Sequence, residues 1–149
     1  EDSVWTIEWM NKTIEAIAAE GDVVILGRGG FAVLGDFSDS LDVFVTAPLA
    51  VRAHRIALRD GISEEEAAEK IKRDDKTRAR FTKRIYGAGW ADEKNFDLVV
   101  DTGELSDEEA IAQIVAAYRE RQATPGEGRR VADLTTDPVL RESIASVLQ

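Results

Sequence analysis

Apolar positions recur along the chain with two alternating periods. Between Val4 and Glu20, Trp9 and Met10, Ile14 and Ile17 return every three to four residues and Gly21 follows, predicting an amphipathic helix with a glycine stop. "DVVIL" (Asp22 to Leu26) is too short and too apolar for a surface helix and predicts a buried strand. "FAVLGDF" predicts a short helix or turn ending near Gly35, and "LDVFVTA" (Leu41 to Ala47) a second buried strand. Pro48 suits a first helical turn, so Leu49 to Arg59 predicts a helix closed by Asp60-Gly61.

Ser63 then reads as an N-cap with Glu66 as its N3 partner, and Ile62 is placed to staple against Ala67. The helix they open is predicted to run to about Ile85. "YGAGWADEKNF" reads as a loop and "DLVVDT" as a third strand. Ser106 and Glu109 form a second capping box before a helix to about Gln122. "ATPGEG" has linker character, and "DPVLRESIASVLQ" predicts one short helix beyond it. Helices alternating with short apolar strands imply an α/β domain, a parallel sheet with helices on both faces. The expected organisation is a main domain over 1–122, followed by a linker and short helix over 123–149.

Composition narrows the function classes. At 149 residues, 44% hydrophobic and 32% charged, the balance is that of one globular domain. The net charge of −10 argues against nucleic acid or an anionic membrane as partner, because their fields repel it. That charge is unevenly placed: Arg52 to Arg84 holds eleven Lys/Arg against seven Asp/Glu, net +4, which leaves the remainder at −14. One basic segment in an acidic chain suggests a local site for a small anion. Without cysteine there are no disulfides or thiolate metal sites, and no histidine cluster supplies a metal site either. No run approaches a transmembrane length and no signal peptide is visible, so the expected compartment is the cytoplasm.

The glycines of "VVILGRGGFAVLGD" meet neither of two phosphate-binding patterns. Gly27 to Ala32 formally matches G-x-G-x-x-A, but no acid stands at the end of the next strand to hold a ribose. Gly30 and Gly35 have the spacing of a phosphate-cradling loop, yet Asp36-Phe37 stand where Lys and Ser/Thr are required. The glycines therefore read as a tight strand-to-helix exit. Arg28, just beyond the strand end, is open to two readings: a surface charge, or a fork that grips a phosphate bidentately.

The helix after Ser63 supports the second. At 100° per residue, Arg73, Thr77, Arg80 and Arg84 share a stripe roughly 60° wide, with Ala67, Ala68, Ile71, Ala79 and Ile85 on the other side. A solvated basic face would alternate in sign, whereas here Glu64, Glu65 and Glu69 crowd the first turns. An anion with several charges would explain such a line. His54, the only histidine, reads as a surface residue, and Trp5, Trp9 and Tyr118 as core or interface residues.

Together, "VVILGRGG", "ISEEEAAEKIKRDDKTRARF", "RIYGAGWADEKNFDLVVDT" and "LSDEEAIAQIV" resemble the cytidylate kinase-like family of the P-loop nucleoside monophosphate kinases, over about Ile14 to Gln122. The resemblance implies a three-layer parallel sheet flanked by helices, with a lid helix over about 63–85. It also implies transfer of the ATP γ-phosphoryl to CMP or dCMP, with ATP and Mg²⁺ as cofactors. Arg28 matches the family's arginine on the monophosphate, while Arg73 and Arg80 match lid arginines that close on the transferring phosphates. Thr77 stands where the family carries an acid that helps read the nucleotide, and Arg84 joins it as a substrate-binding candidate. Tyr86 and Trp90 match a loop typical of this branch. The family begins with a strand and a glycine-rich ATP loop that this sequence does not contain, so the fold is expected to be N-terminally incomplete here and inactive by itself.

Two rival classes stand beside the kinase. One is a non-catalytic remnant, binding nucleotide or anion or forming a homo-oligomer through the helix bearing Trp5 and Trp9. The other is an anion-binding regulatory domain tied to the segment beyond Pro125.

Overall fold

The computed structural model describes residues 2–27 and 29–147, with side chains from Trp5 onward. Arg28 lies outside the described residues. The chain forms two compact units: residues up to Asp42 together with those from Tyr118 onward, and Val43–Ala117.

The first unit contains α1 (Asp2–Ala19), α2 (Gly30–Leu34) and, toward the C-terminus, a 3₁₀ turn (Val131–Asp133) and a helix, Pro138–Val147. Ile14, Leu34, Phe37 and Val131 are buried together, flanked by Met10, Ala18, Ala19, Ile25, Val33 and Leu134. The segment beyond Pro125 thus supplies core side chains to this unit. "DVVIL" departs from expectation. Residues 23–26 form neither helix nor strand, and Val24 and Leu26 are 91% and 88% exposed while Ile25 packs on the core. An apolar run becomes a strand only where a second strand pairs with it, and no ladder forms here among the described residues. Trp5 is 64% exposed, which overturns a core role for it, and Trp9 meets it edge-on at 5.7 Å between ring centroids.

The second unit holds β1 (Val43–Thr46), α3 (Leu49–Asp60), α4 (Glu64–Tyr86), a 3₁₀ turn at Glu93–Asn95 and β2 (Leu98–Asp101). It also holds the start of α5 (Asp107–Ala123). β1 and β2 are parallel, in register from Val43–Leu98 to Thr46–Asp101. This is a mixed α/β fold whose sheet, among the described residues, has two strands rather than three. The helix starts follow the caps read from sequence. Glu66 N–H donates to Ser63 Oγ, and Ser63 N–H donates to Glu66 Oε2, each at 3.1 Å. Ser106 and Glu109 repeat the exchange at 2.9 and 3.2 Å. α3 and α4 pack through Ala53, Ala57, Ala67 and Ile71, where the three alanines let two backbones approach closely.

Candidate functional site

α4 carries four of the five candidate site residues read from sequence. Its buried face is Ala67, Ile71 and Thr82, so Arg73, Thr77, Arg80 and Arg84 are left exposed on the other side. Arg80 and Arg84 line an open concavity of about 560 Å³ with Lys76, Ala79, Lys83 and Gly89. No carboxylate is among those residues. Lys83 Nζ donates to the Gly87 carbonyl at 3.1 Å, and Arg80 and Arg84 make no ion pair among the described residues. Thr77 Oγ1 donates to the Arg73 carbonyl at 3.0 Å, a bond within its own helix. Arg73 is not in the concavity lining; its charge acts on Glu69, whose carboxyl Lys72 and, less strongly, Arg73 hold below the usual range.

A second feature left little mark in the sequence pattern. Beyond the C-terminal ends of β1 and β2 lies a cavity of about 230 Å³, lined by Phe44, Thr46, Arg52, Arg55, Arg78, Trp90 and Thr102 among others. Open parallel α/β sheets bind their ligands in this position. Thr102 N–H donates to the Thr46 carbonyl at 2.9 Å, which carries the strand pairing one residue further. Arg55 reaches across from α3 and donates to Thr102 Oγ1 at 2.9 Å and to its carbonyl at 2.7 Å. Those partners are neutral, so the Arg55 charge is not cancelled by them.

Arg52 meets Asp75 of α4 with two parallel bonds of 2.8 Å, and Arg78 donates to the same carboxylate at 2.8 Å. The Arg52 bond, with smaller charge effects from Arg52 and Arg78, holds the Asp75 carboxyl below the ordinary range against its partial burial. Arg78 also lies 5.6 Å from the Trp90 ring centroid, a cation–π distance. Trp90 in turn meets Phe44 edge-on at 6.0 Å, and Phe44 stacks on Phe96 at 4.9 Å. Arg52 and Arg78 thus share one carboxylate, Asp75, and with Arg55 they line the cavity beside Phe44 and Trp90. Such a site suits a planar ring carrying phosphate.

One glycine is required here by close approach. A Cβ on Gly103 would stand 2.5 Å from Pro48 Cδ, and its N–H donates to Asp101 Oδ1 at 2.7 Å. This Asp-Thr-Gly turn orients Thr102 toward Arg55. The spacing of Arg52, Arg55 and Arg78 held no signal for their convergence; of this lining, the sequence singles out only Trp90, in a loop matched to the family. His54 is exposed as expected, with Nδ1 2.8 Å from Glu64. Among the described residues no three His, Cys, Asp or Glu side chains converge on a metal-sized site. No helix among them is long and apolar enough to cross a membrane.

The second unit is thus a parallel α/β unit with cations at the strand ends and along one helix. Comparison with known sequences narrows this. The profile of the Cytidylate kinase-like family matches residues 2–104, and the chain belongs to that family. It is 37% identical over 108 residues to a cytidylate kinase of Methanopyrus kandleri, covering 67% of this chain and 56% of that protein. It is 44% identical over 98 residues to a cytidylate kinase of Ignicoccus hospitalis, covering 65% and 56%. The chain therefore spans about half the length of these relatives. An uncharacterized protein from Eubacterium ventriosum shares the fold, with a TM-score of 0.66 at 22% identity over 76% of this chain and 63% of that one.

Proposed function

We propose that this chain forms the monophosphate-binding and lid-bearing part of a nucleoside monophosphate kinase. In its complete form that fold is a three-layer parallel sheet which transfers the γ-phosphoryl group of ATP to CMP or dCMP. The observation that carries the reading is the concavity on α4, where Lys76, Arg80, Lys83 and Arg84 meet without a carboxylate in a chain of net charge −10. Four like charges on one short surface repel one another unless a polyanion binds there. Phosphoryl transfer needs positioning and positive charge around the equatorial oxygens, and no covalent nucleophile. In this reading Arg73 and Arg80 act on the transferring phosphates, while Arg28, Thr77 and Arg84 hold the monophosphate substrate. The cavity of Arg55, Arg78 and Trp90 adds a stacking surface for a nucleotide base. ATP supplies the phosphoryl group when bound, and the cationic side chains of α4 position it.

Calorimetric titration with CMP, dCMP and ATP tests this. CMP binds the wild-type chain, and Arg28→Ala, Arg73→Ala and Arg80→Ala each weaken it by about tenfold or more, the scale of a charge-assisted hydrogen bond. Unchanged CMP binding in all three sinks the site assignment. Turnover of CMP with ATP, assayed on the full gene product, tests the reaction.

A second reading is a non-catalytic binding or dimerisation module of the same family. The exposed Val24, Leu26 and Trp5 favour it, since apolar side chains at 91%, 88% and 64% exposure suit a protein contact. Sedimentation that shows a dimer, together with calorimetry that shows no nucleotide binding, would select it.

A further inference from the structure

α5 carries two apolar stripes, and the fold covers one of them. Ala110 is buried, and Ile114, Ala117 and Arg121, which follow it at three-to-four spacing, are partly buried. At 100° per residue, Ile111, Val115 and Tyr118 share a second stripe roughly 60° wide, turned about 100° round the helix from the first. This stripe faces outward: Ile111 is 60% exposed, and Val115 and Tyr118 are exposed as well. Gln122 Nε2 donates to Tyr118 Oη at 2.9 Å, so the phenol oxygen already has a partner within the helix. Single exposed hydrophobics need no explanation, but three in line on one helix face suit a contact surface.

The charges beside this stripe say what covers it. The first turn of α5 is acidic, with Asp107, Glu108 and Glu109, and Arg119 lies toward its other end. Glu108 and Arg119 flank the same edge of the stripe, about 20° apart round the helix. On a solvated helix such charges find the opposite sign three or four positions away. No opposite charge stands at those positions from either residue, and neither makes an ion pair among the described residues. A second copy of α5, laid antiparallel about a twofold axis at the middle of the stripe, closes the pattern on itself. Ile111 then faces the partner's Tyr118, and Val115 meets the partner's Val115 near the axis. Glu108 stands about 10 Å from that axis and Arg119 about 7 Å, so each glutamate comes within about 3 Å, measured along the helix, of the partner's Arg119. Symmetry forms both pairs at once, and the two macrodipoles oppose each other. A parallel pair would set like charge against like at both positions.

We propose that the Ile111–Val115–Tyr118 face of α5 docks antiparallel on the same face of a second copy of this chain, with Glu108 and Arg119 paired across the interface. The contact is one helix wide and about 25 Å long, small beside the surface that a permanent complex buries, so the dimer is weak and concentration-dependent. This pairing does not depend on the nucleotide reading: assembly, not CMP affinity, tests it.

Sedimentation equilibrium of the 149-residue chain is the experiment, at about 0.15 M salt, where charges more than about 8 Å apart are screened. The wild type dimerises with a Kd of about 10–100 µM. Glu108→Arg and Arg119→Glu each create two like-charge contacts and weaken the dimer about tenfold, and the double variant restores it. Mixing the two single variants gives a heterodimer at concentrations where each alone is monomeric. Ile111→Asp abolishes the dimer, with unchanged far-UV circular dichroism and unchanged amide exchange at Val100 as controls for folding. Trp5→Ala, on α1, has no effect. A wild-type chain that stays monomeric at several hundred micromolar overturns the pairing. So does a dimer that withstands Ile111→Asp, or one that the single charge variants weaken and the double variant does not restore. A full gene product that stays monomeric while this chain dimerises overturns it too, since the face is then covered within one polypeptide.

Discussion

Asp75 accepts two parallel hydrogen bonds of 2.8 Å from Arg52, and so ties α4 to α3 beside the cavity at the strand ends. Both side chains are partly buried, at 25% and 30% exposure. Removing one partner therefore leaves the other poorly solvated. Asp75→Ala is expected to destabilise the chain by about 1–3 kcal/mol in urea unfolding. A double-mutant cycle with Arg52→Ala should return a coupling of about 1 kcal/mol or more; additive effects would show that the pair adds nothing beyond packing.

The same pair fixes a pH dependence. Hydrogen bonding to Arg52 lowers the Asp75 pKa in the folded state. Arg59, and then Lys70, lower that of Asp60 far below the carboxylate range. A carboxyl with a lowered folded pKa gives stability that is present above its unfolded value, about 3.9, and is lost as pH falls through the folded one. Denaturation midpoints should hold between about pH 5 and 7 and decline below about pH 4. Asp75→Asn should flatten part of that decline.

The α4 cations predict a salt dependence. Arg80 and Arg84 are exposed, so their attraction for a phosphate is screened over about 10 Å at 0.1 M ionic strength. CMP affinity should fall as salt rises, and Arg80→Ala should reduce the slope of that dependence. An affinity indifferent to salt would move the phosphate away from α4.

Gly103 tests the turn that presents Thr102. Gly103→Ala sets a methyl 2.5 Å from Pro48 Cδ, so the turn or the start of α3 must shift. A loss of about 1–3 kcal/mol is expected in thermal or urea unfolding. Trp90 fluorescence should also change if Arg55 loses its Thr102 partner. Ser63→Ala, which removes only a helix cap, should cost about 1 kcal/mol and leave Trp90 unchanged.

Much of the candidate site was legible because it is local. The capping boxes at Ser63 and Ser106 depend on residues three apart, and both formed. The exposed arginine stripe follows from helical period and from Ala67 and Ile71 on the buried face. The cavity at the strand ends was not legible. Arg52 and Asp75 are 23 positions apart, and Arg55 and Thr102 are 47 apart, so neither pairing leaves a periodic trace.

The helices, their caps, the two paired strands and the side of α4 on which the cations fall all follow from the order of residues, since each depends on contacts within a few positions. Long-range packing settled the rest. An apolar run such as Val23–Leu26 states a preference for burial, but whether it becomes a strand depends on a neighbour that its own residues do not specify. "ATPGEG" and the residues after it carry the composition of a linker, yet Val131 and Leu134 enter a core built by Ile14 and Phe37. Asp39 reads as one acid in a polar turn until a segment 92 positions later brings it two N–H groups. Such pairings are set by how surfaces fit, and that fit exists only once distant parts of the chain meet.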